Sequence, residues 1–272
     1  MHRIPRAKRS QAHGHRNASW QKRLAQTAPI PICGRRPVEE LLCKGIKPEK
    51  LLVEERDRQG RPDELLERLQ AAGWKVELHK KPELDSSCGG LHHQGYIALI
   101  REFPYWRFED LIAEALERSS DPFIVALDEI QDVGNLGAIL RTAECAGAAG
   151  AVLPLHRSAA VTATVVRSSA GAALHLPISR VINLSGGLDE LKEAGFRILG
   201  ADQEGNQSLY AADLKGPLTL VIGSEGRGLR PGIKRRCETL ISIPLRGRVS
   251  SLNASVAAAL CLYEALRQRM PL

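Results

Sequence analysis

Three short stretches of this 272-residue chain gather residues able to hold or transform a ligand. In the first, Asn135, Gly137 and Arg141 stand in an otherwise small and apolar run. The asparagine can cap a helix, and the glycine permits close backbone approach. Arg141 lies six residues after Asn135 among Leu136, Ala138, Ile139, Leu140 and Ala143. A charge there is costly unless paired, so a structural ion pair is one account of it. The second stretch places Gly223, Gly226 and Gly228 around Glu225, directly after a buried apolar run. Glycines let a ligand touch the main chain. Their order is G-x-x-G-x-G, not the dinucleotide fingerprint, and no G-x-x-x-x-G-K-[ST] loop occurs. Nicotinamide binding and nucleotide hydrolysis therefore lose support. The third stretch contains Ile243, Ser250, Ser251, Leu252 and Asn253. Ser250 or Ser251 suits the cap of a long helix, and Ser251 and Asn253 offer donors, acceptors and exposed amides at its start.

The elements that must position these residues follow from apolar patterning. After residue 122, apolar strands are predicted at 123–127, 151–153, 196–200, 218–222 and 240–244, with helices at 136–148, 163–173, 188–194, 229–236 and 251–269 between them. Continuous apolar strands alternating with helices imply an α/β domain whose largely parallel sheet is covered on both faces. Ligands bind such sheets beyond the carboxyl ends of the strands, where all three stretches fall. The last helix carries Val256, Ala259, Leu260, Tyr263 and Leu266, which suits a buried face or a dimer contact. Residues 30–102 read as a smaller mixed domain, with helices at 37–42 and 62–69, strands at 50–54, 74–78 and 95–100, and a turn at 85–90. Residues 103–121, with Pro104, Tyr105, Trp106, Phe108 and a charged amphipathic stretch, read as a linker that includes a helix.

Charge is unevenly placed. The chain carries +7, yet residues 1–36 alone hold nine Lys and Arg and no Asp or Glu, which leaves −2 for the rest. Such an arm attracts a polyanion such as RNA through counterion release, and without apolar periodicity residues 1–29 are expected to be disordered when unbound. No secretory pattern and no membrane-length apolar run appears, and the six cysteines form no Cys-x-x-Cys pair. These features predict a soluble, cytoplasmic, metal-free protein with reduced thiols.

Taken together, Asn135-x-Gly137-x-x-x-Arg141, Ile222-Gly223-Ser224-Glu225-Gly226-x-Gly228, and Ile243-Pro244 through Ser250-Ser251-Leu252-Asn253-Ala254-Ser255-Val256-Ala257 resemble, in order, the three motifs of the SpoU (TrmH-like) family within the SPOUT class of RNA methyltransferases. Residues 32–42 further resemble the start of the ribosomal-protein-like α/β domain that binds substrate in front of many such enzymes, and the arrangement looks closest to the large-subunit rRNA guanosine 2′-O-methyltransferases.

The resemblance implies a SPOUT domain over 122–272 with a trefoil knot at its carboxyl end, where periodicity alone would give an ordinary doubly wound sheet. It implies S-adenosylmethionine as cofactor, cupped by loops at Gly223, Ile243 and Leu252, an rRNA or tRNA substrate, and a homodimer with the active site near the interface. It casts Arg141 as the group that engages the ribose or its phosphate, with Asn135, Glu225, Ser251 and Asn253 orienting it and the substrate. Because a guanidinium stays protonated, Arg141 is expected to stabilise the developing oxyanion rather than act as base. Glu225 could alternatively be its ion-pair partner, and Ser251 and Asn253 could be helix caps only. The competing functions are a tRNA guanosine 2′-O-methyltransferase and a non-catalytic RNA-binding ribosome-assembly protein, which would bind RNA but no cofactor.

Overall fold

The structure is a computed structural model that describes residues 29–55, 63–88 and 90–270; the basic arm expected over 1–29 lies, but for its last residue, outside them. The described residues divide into two compact units, one built from those up to Cys88 and from His92–Phe103, the other from Gly90, Leu91 and the residues from Pro104 onward.

The first unit is a four-stranded sheet of β1 (Ile30–Cys33), β2 (Lys50–Glu54), β3 (Val76–His79) and β4 (Tyr96–Ile100) in the order β1-β4-β2-β3. β4 runs antiparallel to both β1 and β2, and β2 pairs parallel with β3. Three helices accompany it, α1 (Arg35–Cys43), α2 (Glu64–Ala71) and α3 (Lys81–Ser87). Leu65, Leu69 and Leu84 from the helices are buried together with Ile32, Leu51, Val53 and Ile97 from the strands. Asp63 caps α2 by accepting a hydrogen bond from the Leu66 amide, which explains why that helix starts two residues later than the apolar spacing suggests. The sequence reading missed β1 and α3. The Ser/Cys/Gly-rich run suggests a turn from composition, whereas Lys81-Pro82-Glu83 starts a helix there, the Glu83 carboxylate accepting from the Lys80 amide.

The second unit is a seven-stranded, wholly parallel sheet in the order β7-β6-β5-β10-β8-β11-β9. Its strands are β5 (Phe123–Asp128), β6 (Gly150–Pro154), β7 (Ile178–Val181), β8 (Arg197–Ala201), β9 (Gln207–Ser208), β10 (Leu218–Gly223) and β11 (Thr239–Ser242). Its helices are α4 (Phe108–Arg118), α5 (Val133–Cys145), α6 (Ala163–Ser168), α7 (Leu184–Glu193), α8 (Pro231–Lys234) and α9 (Ala254–Arg269). Every residue of β5, β6 and β10 is buried, as a sheet covered on both faces requires. One face packs Phe108, Leu111, Leu184, Leu188, Leu191 and Ile233 from α4, α7 and α8 into a single apolar cluster with alternate strand residues. α9 packs against α5 and β10, and α5 against α6.

The segment read as a linker is therefore part of this unit's core, since Leu111 of α4 is fully buried and the Trp106 amide donates to the Ile178 carbonyl beside the sheet edge. β7 and β9 were not foreseen; one is a four-residue edge strand after Pro177 and the other only two residues long, too short for periodicity to reveal.

β10 enters the sheet between β5 and β8, although both precede it in the chain. The loops that follow β5, β8, β10 and β11 consequently open at the same edge, at a switch in strand order.

Candidate active site

Gly223 ends β10, and the chain must turn back sharply there. A Cβ on Gly223 would stand 2.3 Å from the Gly228 carbonyl carbon and 2.7 Å from the Leu229 nitrogen, main-chain atoms with no rotamer to yield. Gly226 and Gly228 adopt φ of 80° and 63°, a region that favours glycine. The Gly228 amide closes the turn on the Ser224 carbonyl at 3.0 Å.

Asp202, just beyond β8, holds this loop from the side. Its carboxylate accepts from the Leu229 amide at 3.3 Å, the Glu204 amide at 3.1 Å and the Lys234 ammonium at 2.9 Å. Burial works against the charge of Asp202, but these hydrogen bonds, Lys234's above all, outweigh it and hold the carboxyl below its ordinary range. Hydrogen bonds to Glu204 and Asp202 in turn raise the pKa of Lys234.

The result is a cleft of about 220 Å³ lined by Ile222, Gly223, Ile243, Ser251 and Leu252, with Asp202, Glu204, Glu225 and Lys234 at its polar side. The three residues expected at the cofactor, Gly223, Ile243 and Leu252, thus meet in one cavity. A second cleft of about 430 Å³ adjoins it, lined by Glu129, Asp132 and Asn135 and sharing Ser224, Glu225, Arg227 and Ala254 with the first.

Asn253 ties the three motifs together. Its Nδ2 donates to Asn135 Oδ1 at 3.0 Å and to Glu225 Oε2 at 3.2 Å, while its Oδ1 accepts from the Ser255 amide at 2.9 Å and the Ser255 hydroxyl at 2.6 Å. Two donors and two acceptor lone pairs are all that a carboxamide has, so this side chain is saturated and its orientation fixed. Asn253 caps α9, and Ser250 and Ser251 precede the helix; Ser251 lines the first cleft instead of capping. α5 likewise begins at Val133, not at 136, because the Asp132 carboxylate caps it by accepting from the Asn135 amide at 2.7 Å. Asn135 lies within the first turn, and its side chain is available to the cleft. Gly137 serves helix packing: a Cβ there would stand 1.9 Å from the Ser168 hydroxyl of α6.

Arg141 is not gathered with the others. It is exposed on α5 and makes neither an ion pair nor a hydrogen bond among the described residues, which removes both the structural ion pair and Glu225 as its partner. The reason is geometric: position 141 turns away from the apolar neighbours that made its charge look costly, so the guanidinium remains in water.

Sequence reading missed Asp128, Asp202 and Lys234. Asp128 ends β5 fully buried; its Oδ2 accepts from the Arg230 amide at 2.9 Å and its Oδ1 from Arg230 Nε at 2.8 Å, which fastens the start of α8 to the sheet. The available signal was an Asp at the end of a continuous apolar strand, after Leu127 and after Ala201.

Residues 122–263 match the SpoU rRNA Methylase family, and residues 31–106 match the RNA 2′-O ribose methyltransferase substrate binding family. The chain belongs to the SpoU rRNA methylase family, and with it to the S-adenosylmethionine-dependent RNA 2′-O-ribose methyltransferases. It is 41% identical to the 23S rRNA (guanosine-2′-O-)-methyltransferase RlmB of Shewanella oneidensis over 78% of this chain and 87% of that one. Among solved structures it is similar to the AdoMet-bound rRNA methyltransferase of Sinorhizobium meliloti, with a TM-score of 0.76, 25% identity and coverage of 96% and 97% of the two chains. It is also similar to the SpoU methyltransferase AviRb of Streptomyces viridochromogenes in complex with AdoMet, with a TM-score of 0.68, 27% identity and coverage of 93% and 98%.

The residues around the glycine loop fit that cofactor. Main chain lining the cleft at Gly223, where no side chain intervenes, and apolar walls at Ile222, Ile243 and Leu252 suit a flat base, and the carboxylates at the polar side suit a sulfonium and an ammonium. The cofactor supplies an electrophilic methyl group whose leaving group is a neutral thioether. No described helix is long and apolar enough to cross a membrane.

Proposed function

We propose that this protein methylates the ribose 2′-hydroxyl of a guanosine in 23S rRNA. The observation that carries the target is the 41% identity to a 23S rRNA guanosine methyltransferase, which spans both the catalytic and the substrate-binding segments. The cofactor sits in the glycine-loop cleft against Gly223, Ile243 and Leu252, and the target nucleotide enters the neighbouring cleft beside Asn135. Glu225, on the wall common to both, and Asn253, which fixes it, orient the ribose so that its oxygen approaches the methyl carbon in line. Ser251 offers its hydroxyl from the first cleft. The ribose proton is lost to water or to a neighbouring carboxylate.

Arg141 acts on the ribose or its phosphate from a second copy of the chain. Its exposure, and the exposed Val256, Leu260 and Tyr263 on the adjacent α9, suit a homodimer in which one protomer completes the other's site. The carboxyl end is threaded as the family's trefoil knot, residues 30–102 bind the substrate RNA, the basic arm at 1–29 adds affinity, and the enzyme works in the cytoplasm.

The test is methyl transfer from radiolabelled S-adenosylmethionine to unmodified 23S rRNA and, separately, to unmodified tRNA, with Arg141→Ala as control. The expected label is in rRNA, survives alkaline hydrolysis as a dinucleotide, and is lost in the variant. Label confined to tRNA would overturn the target, and failure to bind the cofactor would leave only an RNA-binding protein.

A further inference from the structure

The loop between β6 and α6 carries a cation that the reaction described above does not use. Arg157 holds its backbone in the left-handed region at φ 57°, and Glu129, which it touches, does the same at φ 58°. Non-glycine residues in this region are uncommon and persist only where the surroundings impose them, often at a functional position. Here the surroundings are firm: the Ala159 amide and the Ser158 hydroxyl both donate to the Ile130 carbonyl, at 2.8 Å and 3.2 Å, and the Val161 amide donates to the Tyr105 hydroxyl at 2.8 Å.

On this rigid turn the Arg157 side chain stays 73% exposed and is held at one point, Nη1 to Glu129 Oε1 at 3.4 Å. Arg230 Nη1 stands 3.4 Å from the same oxygen, and Arg230 is itself bound by Asp128 through its amide, Nε and Nη2. Among the described residues Arg157 therefore shares its one carboxylate with a better-anchored cation, through a single contact made by a largely solvated guanidinium. Its remaining donors face solvent.

Glu129, Asp132 and Glu225 line the cleft below. Three carboxylates repel a phosphodiester from the floor of that cleft, so a nucleotide inserted there must leave its phosphates at the rim. Arg227, exposed on the wall common to the two clefts and without an ion pair among the described residues, is a second cation beside that cleft. A guanidinium takes two oxygens of a phosphate through parallel, charge-assisted hydrogen bonds, a better partner than one shared carboxylate oxygen.

We propose that Arg157 is a phosphate grip, which exchanges Glu129 for the RNA phosphodiester next to the nucleotide being methylated. The inference rests on the RNA-methyltransferase reading and adds a contact to it.

The test uses the full-length chain and unmodified 23S rRNA transcript as probe, with affinity measured across a KCl series, and with cofactor affinity and wild-type methyl transfer measured alongside. Arg157→Ala is expected to bind the transcript about tenfold more weakly and to make the slope of log K against log[KCl] shallower by about 1, with cofactor affinity unchanged. Arg157→Lys restores the slope and part of the affinity. A wild-type slope in Arg157→Ala overturns the proposal whether or not affinity falls, because a mere fastener of the loop releases no counterions. Glu129→Gln distinguishes the same alternatives: reproducing the Arg157→Ala affinity loss would make the pair a fastener, and keeping the wild-type salt slope and affinity supports the grip. A wild-type chain that methylates no rRNA would instead overturn the substrate reading, separately from the grip.

Discussion

One wall of the glycine-loop cleft is main chain, shaped where backbone meets backbone, at Gly223 against Gly228 and Leu229. The neighbouring cleft is walled by the side chains of Glu129, Asp132, Asn135 and Arg227, most of them exposed or shared between partners. A backbone wall has no rotamers to lose and presents the same amides and carbonyls each time, which suits a cofactor of fixed shape. A side-chain wall can rearrange, which suits a polymer that brings its own charge. Glu225 belongs to both, and Asn253 keeps it in place.

The contrast predicts its own largest effect. Gly223→Ala forces a Cβ into main chain and is expected to cost about 1–3 kcal/mol of stability and to abolish measurable cofactor binding. Gly226→Ala, where a Cβ would meet nothing within 4 Å, carries only the backbone cost of its φ of 80°, roughly 1–2 kcal/mol. Urea unfolding and calorimetric titration of the cofactor compare the two. Equal loss of cofactor binding in both would mean that loop conformation, and not the close approach at Gly223, shapes the cleft.

Asn253 sharpens the comparison because it serves both clefts with one side chain. Asn253→Asp keeps the oxygen that caps α9 but replaces the donor to Asn135 and Glu225 with an acceptor facing a carboxylate. Stability near wild type with turnover lower by about 10²-fold at saturating cofactor is expected. Asn253→Ala should lose a further ~1 kcal/mol of stability through the missing cap. If Asn253→Asp turned over normally, the bracket between the motifs would be structural only.

How much of this was legible in the sequence depended on whether packing or spacing carried the signal. The five apolar strands and the parallel sheet follow from runs such as Phe123-Ile124-Val125-Ala126-Leu127, because burial on both faces leaves no alternation to misread. The glycine loop was legible since only glycine tolerates its positions. Helix starts were misplaced by three residues at α5 and α9, where several cap-forming residues lie in a row and only the fold decides that Asp132 and Asn253 do the capping. The apolar sequence neighbours of Arg141 make a structural ion pair one account of its charge, yet neighbours in sequence lie on different faces of a helix, and this side chain is exposed. Asp202 carries no motif at all. Its role comes from β8 lying beside β10, a pairing that no local pattern encodes.

That pairing gives the smallest effect, and one that depends on pH. Asp202 titrates below its ordinary value, 3.8, in the folded chain, so its charge stabilises the fold fully above pH about 4, and the contribution is lost as pH falls through the lower, folded value. Lys234 is shifted upward from 10.5, so its contribution is complete below that pH and lost as pH rises through the higher, folded value. Asp202→Asn removes the charge but keeps an acceptor for the Leu229 amide, so the glycine loop should hold and cofactor binding should weaken only a few-fold. The stability difference between wild type and Asp202→Asn, from urea unfolding at a series of pH values, should be constant between about pH 5 and 9, narrow below pH 4, and narrow again above pH 10.5. A difference that persisted unchanged at low pH would show that Asp202 holds the glycine loop by shape and hydrogen bonding alone. The side wall of the first cleft would then be as indifferent to charge as its backbone floor, and its contrast with the charged neighbouring cleft would be complete.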